Sequence, residues 1–203
     1  MEQKEKAEKP PTLFDLTSLQ REANRQLGFT AQQTLDYTQA LYEKKLVTYP
    51  RTDSRYLTDD MAPLVPELVS VIQQSFQIQP DEPAPVNAAQ VINSKKVTDH
   101  HALITTGVVP EELSEAESAV YTLIAGRMLE AFSPPCEKER LLMECVCGGM
   151  DFHSRSAFIV NQGWRAVFAR KEDREKDESE DGGGTALFAE GGLVPLSGRG
   201  LSQ

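Results

Sequence analysis

The sequence predicts an α+β fold: a mainly α-helical domain with a winged-helix-like (helix-turn-helix) core, followed by a smaller antiparallel β segment. Three observations carry this. Apolar residues recur every three to four positions through most of residues 12–135, the period of a helix face. After Pro134–Pro135 the period changes to two, as in a half-exposed strand. Near the start, two helical runs are separated only by Gly28-Phe29-Thr30, a connection short enough for a helix-turn-helix.

Residues 1–11 are charged and end in Pro10–Pro11, so a flexible entry segment is expected there. Thr17 or Ser18 is expected to cap a helix in which Leu16, Leu19, Ala23 and Leu27 form the apolar stripe and Gly28 the stop. Thr30 caps the next helix, running to about Lys45 with Leu35, Thr38, Leu41 and Tyr42 on one side. Leu46–Tyr49 is a short β-prone run, and Pro50 biases Tyr49 towards extended geometry. Thr58, Asp59 and Asp60 open a third helix with Leu64, Leu68, Val71 and Ile72 as its stripe. Residues 77–98 read as a long surface loop carrying Lys95 and Lys96, and long loops in compact domains are often functional. Ser114-Glu-Ala-Glu117 has capping-box spacing and introduces a helix to about Phe132, with Val120, Leu123, Ile124, Met128 and Leu129 buried.

The β segment spans residues 136–203. Leu141, Met143, Cys145 and Cys147 alternate with Leu142, Glu144 and Val146, Gly148–Gly149 turns the chain, and Phe152–Val160 returns: a β-hairpin. Gly163–Trp164 and Ala166–Phe168 continue the extended region. Residues 171–184 are charged and then glycine-rich, which predicts a disordered or solvated loop. Leu193–Leu196 reads as an edge strand, because Pro195 cannot donate to a ladder.

The chain has 203 residues, 31 acidic and 21 basic, for a formal charge of −10. Taken whole, that argues against a simple basic nucleic-acid binder. The charge is uneven. Residues 111–117 carry four Glu and no base, and residues 171–181 carry seven acids against three bases, so these two stretches supply −8. Phe14–Leu57 holds six basic residues against five acidic ones, which leaves room for a phosphate site. No run of about 18 apolar residues predicts a transmembrane helix. No charged-then-apolar leader is visible, so no membrane association is expected and the expected location is cytoplasmic. Three cysteines are too few and too oddly numbered for a disulfide framework, which fits the same reducing setting. Cys145 and Cys147 share one face of a strand and lack zinc-ribbon spacing, so buried thiols are expected rather than a metal site.

The most informative stretch is Thr48-Tyr49-Pro50-Arg51-Thr52-Asp53-Ser54. A phenol is a poor nucleophile near pH 7, because its reference pKa is about 10, and a neighbouring cation favours the phenolate. On an extended chain Arg51 projects to the same side as Tyr49, where a guanidinium can grip phosphate oxygens in a bidentate way. Asp53 continues the alternation and is placed to orient Arg51. From these residues alone, attack on phosphate and a Tyr-Pro turn with a local Arg–Asp pair both remain open.

The run Leu41-Tyr-Glu-Lys-Lys-Leu-Val-Thr-Tyr-Pro-Arg-Thr-Asp-Ser-Arg-Tyr-Leu57 resembles the active-site tyrosine motif of type IA DNA topoisomerases, most of all their bacterial topoisomerase III branch. Phe14-Asp-Leu-Thr-Ser-Leu-Gln-Arg-Glu-Ala23 with Gly28-Phe29 is similar to the helix preceding that motif. His100-His101-Ala102-Leu103-Ile104 is similar to the family's second active-site element. Gly163–Trp164 stands where the family's strands return from its arch, and the similarity covers about residues 12–168. It departs at Thr105, where the family usually has a proline.

The resemblance implies that Tyr49 attacks a phosphorus of single-stranded DNA, forming a 5′-phosphotyrosine and releasing a 3′-hydroxyl without ATP. Arg51 would hold the scissile phosphate, and His100 would contact DNA beside it. Gln39 and Glu43 would support the site, and Thr48, Thr52 and Asp53 would shape the loop. His153 is expected to be an ordinary surface residue. The family uses Mg²⁺ bound by an acidic domain that precedes the tyrosine domain, and no Asp-x-Asp pair precedes Tyr49 here. The chain is therefore expected to be a central fragment whose partners are single-stranded DNA and the missing domains of its parent. Such a fragment is expected to hold no metal and not to relax supercoils alone. The alternative is a non-catalytic winged-helix DNA-binding module. It needs a basic recognition helix, whereas Thr30–Lys45 carries only Lys44 and Lys45, at its end, against Asp36 and Glu43.

Overall fold

The computed structural model describes residues 2–75 and 86–167. Its helices begin where side chains take up the free N–H groups of a first turn. Helix α1 (Leu16–Leu27) opens at Asp15, whose carboxylate accepts the Ser18 N–H while the Asp15 N–H donates to Ser18 Oγ. The cap is thus Asp15 and not the expected Thr17 or Ser18; Ser18 is the third helical residue, where its hydroxyl reaches back. Gly28, at φ 72°, closes the helix as expected. Helix α2 (Ala31–Glu43) opens at Thr30 and α4 (Glu115–Phe132) at Ser114, both with reciprocal boxes at the predicted spacing.

The third helix is where the sequence phase fails. Thr58 leads into a 3₁₀ turn, Asp59–Leu64, and only then α3 (Val65–Ser75). A 3₁₀ turn holds three residues per turn rather than 3.6, so the helix starts with a rotated face. Val65, Val69 and Ile72 are buried while Leu64 is 51% exposed, so of the expected stripe Ile72 lies in the core and Leu68 packs half-buried against it. Helix α4 is central and packs against α1, α2 and α3. Its expected face is buried except for Leu123, which is half-buried, and burial extends round to Tyr121, Ala131 and Phe132. Being covered on several sides, this helix has no polar stripe over its last three turns.

Strands β2 (Cys136–Cys147) and β3 (Met150–Asn161) form the predicted hairpin. Gly148 and Gly149, at φ 59° and 80°, turn it in the left-handed region that a two-residue hairpin loop demands. His153 on β3 is exposed opposite Glu144, with an Nδ1–Oε1 distance of 3.4 Å. Cys136 is buried. The side chains of Cys145 and Cys147 lie outside the described ones.

The flexible segment expected over residues 1–11 is corrected for most of its length. Glu2–Glu8 is a strand, β1, antiparallel to β2 in a register running from Glu2↔Leu142 to Glu8↔Cys136. The physical reason is the open edge of β2, whose ladder groups a polar extended segment can satisfy. Glu8 fastens the end. Its carboxylate pairs with Arg165 at 3.1 Å and Lys138 at 3.3 Å, and its carbonyl accepts the Trp164 indole N–H at 3.2 Å. Burial pushes the Glu8 carboxyl up, but Arg165 and Lys138 outweigh it and hold the group below its ordinary range.

A second correction concerns Gly163–Ala166, a 3₁₀ turn rather than extended chain. The Trp164 N–H donates to Pro134 O, and a Cβ on Gly163 would stand 2.3 Å from Pro135 O, so the turn needs glycine. The expected loop at 171–184, the strip Leu193–Leu196 and residues 76–85 lie outside the described residues. The remainder of the 77–98 loop is tied down. Val91 is buried, Leu57 N–H donates to Val91 O, and Asn93 N–H donates to Leu57 O. All described residues belong to one compact unit, Met1–Phe168. No helix among them is long and apolar enough to cross a membrane.

Candidate active site

The tyrosine motif begins where α2 stops. The Leu46 N–H donates to Leu41 O and the Lys45 N–H to Tyr42 O, a pairing that forces the intervening residue into the left-handed region. That residue is Lys45, at φ 60°, the only non-glycine with positive φ among the described residues. The reversal drives Leu46 and Val47 into the core. Val47 bridges Thr105, and the Thr106 N–H donates to Leu46 O.

Thr48 locks the next step. Its N–H donates to Ile104 O at 2.9 Å, its hydroxyl donates to Ala102 O at 3.2 Å, and the same oxygen accepts the Ile104 N–H at 3.1 Å. Thr52 bonds the other flank, donating its hydroxyl to His100 O at 3.0 Å and accepting the Ser54 N–H at 3.1 Å. Asp53 accepts the Thr98 hydroxyl at 3.2 Å. Residues 98–104 therefore run beside residues 48–56 and are stitched to them at several points. The two elements singled out in the sequence, more than 40 residues apart, become one surface.

Tyr49 lies half-buried between Thr48 and the buried Pro50. Its ring stacks on His100 with centroids 4.6 Å apart and planes tilted by 47°. On another side the Tyr42 ring meets it edge-on at 5.5 Å and 77°. His101 turns elsewhere, its Nδ1 set against Ala102 O at 2.8 Å, so the adjacent histidines do not share a task.

Arg51 is exposed, and among the described residues it makes no ion pair or hydrogen bond; the local Arg51–Asp53 pair that the spacing allowed is not formed, and Asp53 accepts the Thr98 hydroxyl instead. Arg55, by contrast, is neutralised by Asp15 at 2.6 Å. Burial raises the Asp15 carboxyl, but the hydrogen bonds from Ser18 and the Arg55 guanidinium hold it below the usual carboxylate range. Arg51 is thereby left as the free guanidinium of the motif. Gln39 donates to Glu43 at 3.1 Å along α2, and no hydrogen bond or ion pair joins either to Tyr49, Arg51 or His100. Lys44 is drawn off to Glu117 at 2.7 Å, which with the Ser114 hydrogen bonds brings that carboxyl down to about 2.

Tyr42 is the site neighbour that the sequence reading did not single out. Expected on one side of α2 with Leu35, Thr38 and Leu41, it is 39% exposed and its ring meets Tyr49. A tyrosine at the last turn of the preceding helix, seven positions before the motif tyrosine, is the available signal. Thr105 departs from the family's proline at a tolerant place: its N–H donates only to Met128 Sδ, a weak acceptor. No group of three His, Cys, Asp or Glu side chains that could hold a metal ion is found among the described residues. The Mg²⁺ that the resemblance implies has no donor set among these residues.

A family model described as DNA topoisomerase matches residues 1–196. DNA topoisomerase 3 of Bacillus subtilis is 39% identical over 178 residues, which cover 84% of this chain and 24% of that protein. DNA topoisomerase 3 of Shouchella clausii is likewise 39% identical, over 182 residues. The chain thus spans about a quarter of the length of the curated relatives it matches. Among solved structures, full-length topoisomerase I from Thermotoga maritima superposes with a TM-score of 0.58 at 24% identity, over 84% of this chain and 29% of that one.

Proposed function

Because the chain belongs to the DNA topoisomerase family, in its type IA class and with topoisomerase III relatives, we propose that it is the tyrosine-bearing portion of a longer enzyme that cuts and rejoins single-stranded DNA. The Tyr49 oxygen attacks a backbone phosphorus and loses its proton. The bond from phosphorus to the 3′-oxygen breaks, and that oxygen leaves as a hydroxyl. The product is a 5′-phosphotyrosine. Rejoining is the reverse attack by the 3′-hydroxyl. One phosphoester replaces another at each step, so no ATP is consumed.

The single observation that carries this reading is the placement of Tyr49. Its ring is held from two sides by His100 and Tyr42, and the unpaired Arg51 stands two residues on. Arg51 offers bidentate contact to the phosphate and stabilises the charge that builds on it. His100 donates to the DNA beside the cleavage point. Thr48, Thr52 and Asp53 hold the loop through their bonds to Ala102, His100 and Thr98. Gln39 and Glu43 stiffen the end of α2 behind Tyr42.

The helical core is winged-helix-like in this reading: α1 and α2 meet across Gly28–Thr30 and lean on α4. The competing reading, a duplex-binding module without catalysis, finds little support. The exposed face of α2 carries Gln32, Asp36 and Glu43, which repel or ignore phosphate. We assign the Mg²⁺ site to carboxylates elsewhere in the parent chain, and the remaining domains of that parent as partners. The working compartment is the cytoplasm. The test is Tyr49→Phe in the parent enzyme, incubated with a labelled oligonucleotide and resolved on a denaturing gel. The covalent adduct is expected to vanish while oligonucleotide binding persists; a surviving adduct refutes the assignment.

A further inference from the structure

Lys95 and Lys96 belong to the loop that the sequence singled out, and none of the roles assigned so far uses them. In the structure they sit on a short 3₁₀ turn, Ser94–Lys96, held at both ends. At one end Ser94 Oγ donates to Asp59 Oδ2 and accepts the Asp59 N–H at 2.9 Å. At the other, Ser54 Oγ donates to Lys96 O at 3.0 Å. Lys96 is ordered further: its ammonium donates to Tyr56 Oη at 3.1 Å and stands 4.5 Å from the centre of that ring.

Position, with charge, marks these lysines. Lys44, Arg25, Arg55, Arg127, Lys138 and Arg165 each pair with a carboxylate. Among the described residues Arg51, Lys95 and Lys96 do not, as Lys9, Arg21, Lys45 and Arg140 do not, but these three are the exposed unpaired cations of the segments around Tyr49 and His100. They lie on the two segments that are stitched together around Tyr49. His100 is four positions beyond Lys96, so their Cα atoms are at most about 14 Å apart. The acids on the same surface are Asp53, which accepts the Thr98 hydroxyl, Asp59, which accepts that of Ser94, and Asp60 and Asp99; all four are exposed and together they limit the local positive potential.

We propose that Lys95 and Lys96, the latter held on Tyr56, form a binding shelf for the backbone phosphates of the single DNA strand that runs to Tyr49. Two of the three ammonium donors of Lys96 remain for phosphate oxygens after one is spent on Tyr56. Holding the side chain in advance removes part of the rotamer entropy that a free lysine loses on binding. Tyr56, half-buried, also presents a ring edge beside the strand, the pairing of aromatic and cation common in single-strand grooves. The proposal deepens the DNA-cleavage reading and rests on it for the identity of the strand.

The experiment measures binding of a fluorescent oligothymidine to the chain across salt concentrations. Each phosphate contact contributes about 0.7 to the slope of log affinity against log salt for single strands. Lys95→Gln/Lys96→Gln is therefore expected to flatten the slope by about 1.4. Lys9→Gln/Arg140→Gln, an equal charge change on residues of the sheet side that make no ion pair with the described side chains, is expected to leave the slope unchanged. Thermal melts confirm that both variants fold. Lys96→Arg, which keeps the charge, is expected to retain the native slope. An unchanged slope in the Lys95/Lys96 variant overturns the proposal, as does an equal flattening in the sheet variant or no measurable binding by the native chain. None of these outcomes bears on whether Tyr49 forms an adduct, which the Tyr49→Phe experiment reads separately.

Discussion

Replacing His100 by phenylalanine separates the imidazole's observed contact with Tyr49 from the contact with DNA proposed for it. The first is packing. The rings of His100 and Tyr49 are 4.6 Å apart, at the close end of aromatic contact, and such a contact contributes about 0.5–1.5 kcal/mol. At about 1.4 kcal/mol per tenfold, losing it slows adduct formation by roughly 2- to 13-fold, through disorder of the nucleophile. The second, part of the proposed function, is a hydrogen bond to DNA phosphate. A bond to a charged group contributes about 1.5–3 kcal/mol, or roughly 13- to 160-fold. His100→Phe keeps a ring against Tyr49 and loses the donor, so adduct formation at saturating oligonucleotide is expected to fall about 13- to 160-fold. His100→Ala loses both and should fall further, by the packing factor. The loop survives either change, because Thr52 holds the backbone carbonyl of His100 and the imidazole is exposed. The assay is the initial rate of covalent adduct formation by the parent enzyme on a denaturing gel. If His100→Phe stays within about twofold of native while His100→Ala drops about tenfold, the ring only packs and the phosphate contact is wrong.

Two further predictions concern the frame around the tyrosine. Glu117 has its carboxyl brought from its ordinary 4.5 down to about 2 by Lys44 and Ser114. A depressed carboxylate contributes stability that is full above about pH 4.5 and is lost as pH falls towards about 2. Glu117→Gln keeps the reach-back bond of the helix cap and removes the charge, so the native-minus-variant stability difference, about 1 kcal/mol or less for a half-exposed pair, should shrink across that window in urea titrations. A difference that stays undiminished down to pH 2 would refute the contribution of the Glu117 charge. Lys45→Gly relieves a left-handed backbone that costs an ordinary residue about 1–2 kcal/mol, against about 0.4–1 kcal/mol of added chain entropy. A gain of about 0.5–1 kcal/mol in urea unfolding is expected, and a loss would mean that the Lys45 side chain stabilises the turn.

Local rules made much of this protein legible. The boxes at Thr30 and Ser114, the Gly28 stop and the Gly148–Gly149 hairpin each depend on residues within about four positions of one another, so one-dimensional spacing is enough to find them. The tyrosine motif was legible because its residues are contiguous. The errors share a cause. Glu2–Glu8 has no strand-like pattern of its own and became a strand through the edge of β2, more than 120 residues away. The α3 stripe shifted because a 3₁₀ turn changed the phase ahead of it.

The sequence by itself singled out the residues proposed to carry the chemistry: a tyrosine, an arginine two positions on and a histidine on a separate element. Only the tertiary structure decided how they meet. The bonds from Thr48, Thr52 and Asp53 to Ala102, His100 and Thr98 put the histidine ring on the tyrosine ring, and Arg51 stands without the Asp53 partner that spacing allowed. It also turned Tyr42 onto the Tyr49 ring and set Lys96 on Tyr56. The physical reason is that hydrogen bonds and ring contacts go to whichever partner the packed backbone brings within about 3–5 Å, and sequence distance says nothing of that.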